Sequence, residues 1–371
     1  MARFLLFLLS FTAVFFNFAG AKDIYYIGFL GNSTNASSIS LYNALSLTAD
    51  AGNNSNNSYE VLSVFFDEDS VTAPEDINNS ASLLAVLGCF SEKNAPLLEK
   101  ITKVPLICVC KSYIAFNEKS AENAFRVCPT EAQLAEDLSR FSITVLEKNK
   151  TSIIYSEGSQ DYLRAAEAFA ANCRANKIWC NDLKSVPADR DDFTSVLLRL
   201  RDLRIQTLYF AGGMDQAALL IKKSREMNVG ADFLSTDAIN SRAFSKKAKM
   251  EKGFGSACFA SAGLENLWAY KEMRPVFTAF MQKFKNEDIY MPYVFDAANL
   301  VMKLLGEGKK SGPDMIKALK ETAYEGATGS IKFNSAGVRV NTNANFFIVR
   351  GREVLHRKLN DSEENKYRGA K

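Results

Sequence analysis

The chain has 371 residues, with 45 basic side chains against 42 acidic ones and a single histidine. This near balance, without a long basic run, gives no indication of a nucleic-acid partner or an anionic membrane surface. Because His356 is the one histidine, a Ser-His-Asp or Cys-His nucleophile system and a histidine-rich metal site are excluded. No motif in the chain requires a cofactor, and we expect a protein that is not an enzyme.

The first 21 residues have the three parts of a secretory signal peptide. Arg3 provides the basic start, residues 4–18 form an apolar core, and Ala19-Gly20-Ala21 is an A-x-A cleavage site. The apolar run is shorter than the ~20 residues that a membrane span needs, so a retained anchor is the less favoured alternative. We therefore predict export to the periplasm and a mature chain that begins near Lys22.

The mature chain alternates predicted strands and helices, which is typical of an α/β protein with parallel sheets. Its length of about 350 residues exceeds one ordinary core and fits two domains. Strands are predicted at 24–30, 61–66, 83–88, 104–110, 152–155, 205–210, 233–235, 253–259, 329–333, 345–350 and 354–357. Helices are predicted at 37–49, 91–101, 130–148, 160–173, 193–203, 264–285 with a break at Pro275, 293–305 and 313–322.

Two further features of the sequence concern the start of one helix and the end of the chain. Thr130, followed by Gln133 three residues later, is a capping box at the start of the long helix. The charged segment 358–371 lacks an apolar pattern, and we predict that it is disordered.

Residues 203–238 show the repeating strand–helix–strand unit most clearly. A β-rich apolar run at 205–210 is broken by Gly212 and Gly213, an amphipathic helix follows, and a second strand ends just before Asp237. Small ligands bind at the carboxyl ends of the strands in open parallel sheets. Gly212, Gly213 and Asp237 are therefore predicted to face a ligand.

The seven cysteines match neither a zinc ribbon nor a Cys-x-x-Cys redox motif. Cys173 and Cys180 lie at the end of a predicted helix and the start of the next strand, and export permits a disulfide between them. Whether they form that bond or remain thiols is left open by the sequence. Cys108 and Cys110 alternate along a predicted strand, and we interpret them as two small buried apolar residues.

Six segments of the mature chain form a pattern by their order: LLAVLGCFSEKNAPLLEKITKVPLICV, FRVCPTEAQLAEDLSRF, SIIYSEGSQDYLRAAEAF, DFTSVLLRLRDLRIQTLYFAGGMDQAALLIKKSREMNVGADFLSTDA, YVFDAANLVMKLL and GATGSIKFNSAGVR. In this order they resemble the type I periplasmic binding proteins, specifically the branched-chain amino acid (Leu/Ile/Val) group that feeds ABC transporters. The resemblance covers nearly all of the mature chain.

The resemblance implies two doubly wound Rossmann-like lobes, joined by a hinge of three crossovers, that close on a ligand. Lobe 1 would comprise 22–143 plus 273–325, and lobe 2 would comprise 144–272 plus 326–357. It also implies an exported monomer that binds an amino-acid-like ligand and delivers it to an ABC permease in the inner membrane.

The resemblance assigns the loops of lobe 1 to the ligand's α-carboxylate. Ser91 matches the hydroxyl after the third strand, where free N–H groups and a positive helix end suit an anion. Its alternative role, as a helix N-cap, is compatible with this one. Ser112 and Tyr113 stand where the loop after the fourth strand would provide a further hydroxyl.

In lobe 2 the resemblance assigns four positions. Gln160 stands where the family often has an aromatic residue, and Gly212 with Gly213 matches a turn that lets the backbone approach the ligand. Asp237 matches the acidic residue that pairs with the ligand's ammonium group. The alternative for Asp237 is an N-cap of a helix near Asn240.

Two departures from the family pattern leave the ligand open. The first loop, GNSTNASSIS, has one glycine, and Glu92 and Lys93 place charges beside the expected carboxylate pocket. Another amino acid, an amide or a small polar metabolite is therefore as compatible with the sequence as leucine, isoleucine or valine. A ligand sensor or partner-binding module of a signalling system is the alternative function on this fold. An exported enzyme is disfavoured because no nucleophile–base pair is visible.

Overall fold

The structure of the chain is a computed structural model. It describes residues 22–54, 58–70, 74–90, 95–110, 122–181, 183–250, 256–263, 266–284, 287–340 and 344–369. The predicted signal peptide and the predicted site residues Ser91, Ser112 and Tyr113 lie outside the described residues.

The strands of the described residues follow the predicted order. They are β1 (Asp23–Gly31), β2 (Tyr59–Asp67), β3 (Leu83–Gly88), β4 (Leu106–Cys108), β5 (Ala124–Arg126), β6 (Lys150–Ser156), β7 (Trp179–Cys180), β8 (Lys184–Val186), β9 (Thr207–Ala211), β10 (Asp232–Ser235), β11 (Ser256–Ser261), β12 (Ala323–Gly326), β13 (Gly329–Lys332), β14 (Asn345–Arg350) and β15 (Glu353–His356).

The helices of the described residues alternate with the strands until the C-terminal third. They are α1 (Ala36–Asn54), α2 (Pro74–Asn79), α3 (Ala95–Leu98), α4 (Glu131–Thr144), α5 (Gln160–Ala175), α6 (Thr194–Asp202), α7 (Met214–Glu226), α8 (Arg242–Lys247), α9 (Arg274–Lys283), α10 (Met291–Gly306), α11 (Gly312–Glu321) and α12 (Asp361–Gly369).

The fold is α/β, with two main sheets, as predicted. In the first sheet the order is β2-β1-β3-β4-β5, and all of the pairs are parallel. In the second, β6, β7, β9, β10 and β11 are joined by parallel pairs, and the closing hairpin β14–β15 adds antiparallel strands beside β11. All six residues of β3 are buried, as expected for a parallel strand that is covered on both faces.

Each sheet has a core of its own. The first core joins β1–β5 to α1 and to α9, α10 and α11, although these three helices are distant in sequence. Around the second sheet the alternating residues of β9 divide between two cores. Leu208 and Phe210 face α6 and α7, whereas Tyr209 and Ala211 face α4 and α5. The second sheet therefore carries helices on both faces, which is the doubly wound arrangement.

Helix α4 begins where the sequence predicts, but it packs against the second sheet rather than the first. Thr130 is its N-cap, and the capping box with Gln133 is formed on both sides. The lobe bounds drawn from the sequence placed residues 131–143 in lobe 1, whereas Leu134, Leu138 and Phe141 lie in a core of the second sheet. The chain thus crosses between the sheets before α4, at the end of β5.

The C-terminal segment was predicted from its composition to be disordered, but most of it forms a helix. Residues 361–369 form α12, and Tyr367 is buried against α4. The Tyr367 hydroxyl donates to Asp137 Oδ1 at 2.7 Å, and Arg140 lies over the Tyr367 ring. Acidic residues in the first turn and basic residues in the last turn favour the helix dipole, and Lys366 pairs with Glu147 at 2.7 Å beside the aromatic anchor.

A buried polar network ties the crossing segments together. Asp296 of α10 is fully buried and accepts hydrogen bonds from Ala327 N (2.7 Å), Thr328 N (2.8 Å) and Thr328 Oγ1 (2.5 Å). Arg339 donates to Thr328 Oγ1, to the Thr328 carbonyl and to the Val127 carbonyl. We call Asp296, Thr328 and Arg339 the hinge network.

The hinge network depends on burial and on close backbone approach. Burial raises the pKa of Asp296, while hydrogen bonds from Thr328 and Ala327 and the charge of Arg339 oppose this rise. A Cβ atom on Gly326 would lie 2.5 Å from the Asp296 carboxyl group, so the turn that donates to Asp296 needs a glycine at this position.

We expect Asp296→Ala to lower the free energy of unfolding by about 3–5 kcal/mol, because it leaves the Ala327 and Thr328 amides without their acceptor and removes the negative charge near the buried Arg339. Asp296→Asn keeps the volume and one acceptor, so its loss should be smaller. Urea unfolding of each variant measures the change. Asp50→Ala, an exposed change on α1, is the control and should stay within about 0.5 kcal/mol of the wild type. An equally small effect of Asp296→Ala would contradict the role of the hinge network.

Candidate ligand-binding site

Three neighbouring strands of the second sheet bring the predicted lobe 2 residues to one edge. The strand order places β6 next to β9 and β9 next to β10. Gln160 begins the helix after β6 and is exposed, Gly212 and Gly213 follow β9, and Asp237 follows β10. Because these strands are parallel, all four residues lie at the carboxyl edge of the sheet.

The turn after β9 requires its glycine. A Cβ atom on Gly212 would lie 2.4 Å from the Phe210 ring and 3.2 Å from Ser156, closer than a side chain tolerates. A Cβ atom on Gly213 would meet only the Tyr162 hydroxyl within 4 Å, at 4.0 Å. Gly212 therefore packs the turn against β6, while Gly213 keeps its backbone open beside the start of α5.

Asp237 is the first residue of a 3-10 turn, Asp237–Ile239, and its side chain is half-buried. The N-cap of this turn is Thr236, whose hydroxyl oxygen accepts from Ala238 N at 3.4 Å and donates to the Gly212 carbonyl at 3.3 Å. The alternative role considered for Asp237 was that of an N-cap. In the structure Thr236 is the N-cap of this turn. The Thr236–Gly212 hydrogen bond also joins the two turns that carry predicted site residues.

Sequence reasoning missed a group of charged and phenolic side chains between the two sheets. Arg126, at the end of β5, is buried with 4% exposure. Although burial would lower the pKa of its guanidinium, the neighbouring sulfurs of Cys108 and Cys128 and the Asp161 carboxylate raise it above its usual value. Arg126 belongs to the first sheet and Asp161 to a helix of the second, so the charge of one sheet's helix acts on a guanidinium of the other sheet.

Tyr290 belongs to the same region. Burial raises the pKa of the Tyr290 hydroxyl well above its usual value, and Asp237, Cys128, Glu131 and Asp288 raise it further. Asp237 follows a strand of the second sheet, whereas Cys128 follows a strand of the first. The carboxyl edges of both sheets therefore meet around Tyr290. Tyr290 could have been noticed as the residue before Met291-Pro292, a helix start, but nothing in its local pattern marks it as facing a cleft.

A disulfide joins the two loops of the first sheet that lie at this edge. Cys89 follows β3 and Cys110 follows β4, and their Cα atoms are 5.3 Å apart. Both Cys108 and Cys110 are buried, as predicted, but β4 ends at Cys108, so Cys110 lies beyond the strand in which it was predicted. Cys108 and Cys128 both donate to the Cys110 carbonyl, at 3.1 and 2.8 Å.

The cysteine pair favoured by the sequence remains reduced. Cys173 is buried in α5 beside Ser139, and burial raises its pKa to about 11. Cys180 lies half-buried in β7 and is also a thiol. Both residues lie near each other in sequence and around the same core, and Cys180 contributes to the raised pKa of Cys173, yet the two are separate thiols.

Three further observations concern the described residues outside this edge. Within the described part of the chain, no three His, Cys, Asp or Glu side chains lie together so that they could hold a metal ion. His356 is exposed at the end of β15. Among the described helices, none combines the length and apolar character that crossing a membrane requires.

These features define an α/β protein with two sheets whose carboxyl edges meet at a shared polar region. The chain belongs to the periplasmic binding protein family, whose family model matches residues 45–353. This is a family of solute-binding proteins. The amino acid binding protein of Pseudomonas aeruginosa PAO1 is 22% identical over 161 residues, which is 42% of this chain and 42% of that protein. The match thus spans less than half the length of that relative.

Solved structures share the fold across nearly the whole chain. LivJ of Streptococcus pneumoniae, a branched-chain amino acid substrate-binding protein in complex with isoleucine, has 19% identity and a TM-score of 0.64, and the match covers 90% of this chain and 98% of that one. The leucine binding protein LivK of Thermotoga maritima has 15% identity and a TM-score of 0.64, covering 90% and 98%. A Silicibacter pomeroyi protein assigned to a branched-chain amino acid ABC transporter has 13% identity and a TM-score of 0.76, covering 92% and 97%.

We expect alkylation of the unfolded, unreduced protein to label five cysteines, and labelling after reduction to reach all seven. Peptide mass spectrometry without reductant should recover Cys89 joined to Cys110, because their Cα separation suits a disulfide. The digest of a Cys89→Ser variant, in which that cross-linked peptide must disappear, is the control. Recovery of Cys173 joined to Cys180 would contradict the assignment.

Proposed function

We propose that this protein is an exported solute-binding protein, which captures an amino acid or similar small polar ligand between its lobes and delivers it to an ABC permease. The single observation that carries the proposal is the meeting of the two carboxyl edges, where residues that follow strands of both sheets, Cys128 and Asp237, act together on Tyr290. Sites between two lobes are where such folds bind small molecules. Family membership and the ligand complex of LivJ support the same function.

The proposed lobes follow the two cores. Residues 22–126 with the segment 273–325 make one lobe, and the second sheet with α4 makes the other, so that the hinge network lies at the crossings. The protein would work in the periplasm as a monomer, released from the signal peptide at residue 21. No cofactor is proposed.

The proposed ligand contacts keep the assignments from the resemblance. Asp237 accepts from the ligand's ammonium group, and Gly212 and Gly213 let the backbone approach it, with Gln160 beside them. Ser91, Ser112 and Tyr113, outside the described residues, are proposed to hold the α-carboxylate. The support for the lobe 2 contacts is that Gln160, Gly212, Gly213 and Asp237 share one edge of the sheet.

We expect at least one amino acid to raise the melting temperature Tm of the purified mature protein. Binding to the folded state alone should give a shift of roughly 3–8 °C when the ligand is present at about 100 times its Kd. Differential scanning fluorimetry against each standard amino acid measures this shift, with galactose at equal concentration as the control. If no amino acid shifts Tm and a pull-down recovers a membrane receptor, the protein is a partner-binding module instead.

We expect Asp237→Ala to weaken the best amino acid ligand by about 10- to 100-fold, because a charge-assisted hydrogen bond to the ammonium group is lost. Isothermal titration calorimetry measures Kd for the variant and the wild type. The matched control is Asp232→Ala, at the opposite end of β10, where Asp232 pairs with Lys148 at 3.1 Å away from the site edge. Unchanged affinity of Asp237→Ala would remove Asp237 from the site.

A further inference from the structure

Asp161 has a carboxylate oxygen that is buried without a hydrogen bond. The residue lies in the first turn of α5, next to Gln160, and its side chain is half-buried. Its Oδ2 atom is buried and has no hydrogen-bond partner. A buried acceptor left in this state costs free energy, so natural proteins keep such groups rarely and usually for a reason.

The surroundings of Asp161 place it at the meeting of the two sheets. Helix α4 runs alongside α5, since Ser139 Oγ donates to the Phe169 carbonyl at 3.3 Å and Asn172 Nδ2 donates to Ser139 Oγ at 3.1 Å. The first turns of both helices therefore lie together, just beyond Arg126. The charge of Asp161 acts on the Arg126 guanidinium, yet no ion pair joins these two described residues.

A second buried polar group lies along the same edge. Ser261, at the end of β11, is 1% exposed, and its Oγ atom has no hydrogen-bond partner. Strands β10 and β11 are parallel neighbours, so Ser261 at the end of β11 lies at the same edge of the sheet as Asp237, which follows β10. Polar groups that need a partner therefore occur at the ends of β11 and β6, on both sides of Asp237.

The chemistry of these groups restricts the ligand. An ionised carboxylate only accepts hydrogen bonds, so Asp161 Oδ2 needs a donor. The strands that precede Asp161 and Asp237 are two strand spacings apart, roughly 10 Å, which an extended amino acid with a terminal donor can span. An aliphatic side chain cannot satisfy Asp161, and a site built to hydrogen-bond its ligand strongly rejects analogues that lack the polar group.

We propose that Asp161 accepts a hydrogen bond from an N–H donor on the ligand's side chain, so that the site selects amino acids with an amide or amine side chain over aliphatic ones. This inference rests on the proposed function and names the ligand class of that same site. It assigns to Asp161 a specificity-determining contact, distinct from the ammonium contact of Asp237.

The test uses the mature protein and four probes, L-glutamine, L-lysine, L-leucine and L-norleucine, titrated by calorimetry. L-norleucine has an unbranched chain of similar length to the polar probes and no donor. Wild-type protein should bind L-glutamine or L-lysine at least about tenfold more tightly than either aliphatic probe. In Asp161→Ala this ratio should fall close to unity, while Asp161→Asn should retain part of it for a ligand that can also accept.

The control variant is Asp215→Asn. Asp215 lies in the first turn of α7, as Asp161 lies in that of α5, but it pairs with Lys247 of α8 at 2.6 Å and is exposed. It should leave the binding ratio unchanged. Because Asp161 Oδ2 makes no hydrogen bond, Asp161→Ala should lose little more than the favourable interaction of a first-turn carboxylate with the helix dipole, and a Tm close to the wild-type value shows that any lost selectivity is not lost folding.

Two results would overturn the inference while leaving the proposed function standing. One is aliphatic probes that bind the wild type as tightly as the polar probes. The other is an Asp161→Ala variant that keeps the wild-type ratio. If none of the four probes binds, the inference also fails, and the fluorimetry screen of all standard amino acids then decides whether the proposed function fails with it.

Discussion

The arrangement of this protein depends on how a carboxylate and a guanidinium are kept away from water where the chain crosses between its sheets. Asp296 cannot be buried alone, because an isolated charge in a protein interior costs several kcal/mol. Three hydrogen-bond donors from the 326–328 turn compensate the burial of the Asp296 carboxylate. Arg339 in turn donates a hydrogen bond to the Thr328 hydroxyl, which itself donates to Asp296. The same Arg339 holds the carbonyl of Val127, so a helix, a turn and the first crossing share one set of hydrogen bonds. The segments that cross between the sheets are thus held together by one buried set of hydrogen bonds.

The polar region between the sheets has a different character. The hinge network is closed, since the three side chains that define it exchange hydrogen bonds at short distances. At the strand ends, by contrast, Asp161 and Ser261 each retain a buried oxygen without a protein partner. Buried oxygens without a protein partner are costly, and at these two strand ends a bound solute could supply the missing donor. This contrast distinguishes the hinge network from the region where the solute is proposed to bind.

Local patterns predicted much of the fold. The bounds of β3 and β14 agree with the prediction, because continuous apolar runs are bounded by clear breaks, and the capping box at Thr130 forms as expected. Long helices such as α10 were found from their periodicity. The short β5 and the single-turn α2 were missed, since three to six residues are too few to show a period. The lobe assignment of α4 was missed because amphipathic spacing predicts which face is buried but not which sheet covers it.

The position of some candidate site residues could also be predicted from the sequence, and that of others could not. Gly212, Gly213 and Asp237 could be placed because the residues after parallel strands must share an edge. The Cys89–Cys110 disulfide could not be predicted, since it depends on where β4 ends and on the distance between two loops. The sequence did not indicate Arg126 and Tyr290 as residues of this region, for a related reason. Each is ordinary in its own segment, and its surroundings are supplied by residues from the other sheet.

The docking of α12 has a practical consequence for shortening or labelling the protein. A chain cut after residue 357, as composition would advise, would remove the ring that covers Phe346 and strip Asp137 of its phenolic donor. The uncovered apolar face and the exposed acid would then sit on α4, beside the helix that carries Asp161. Affinity tags or fluorophores are therefore better joined beyond residue 369 than substituted for the final helix.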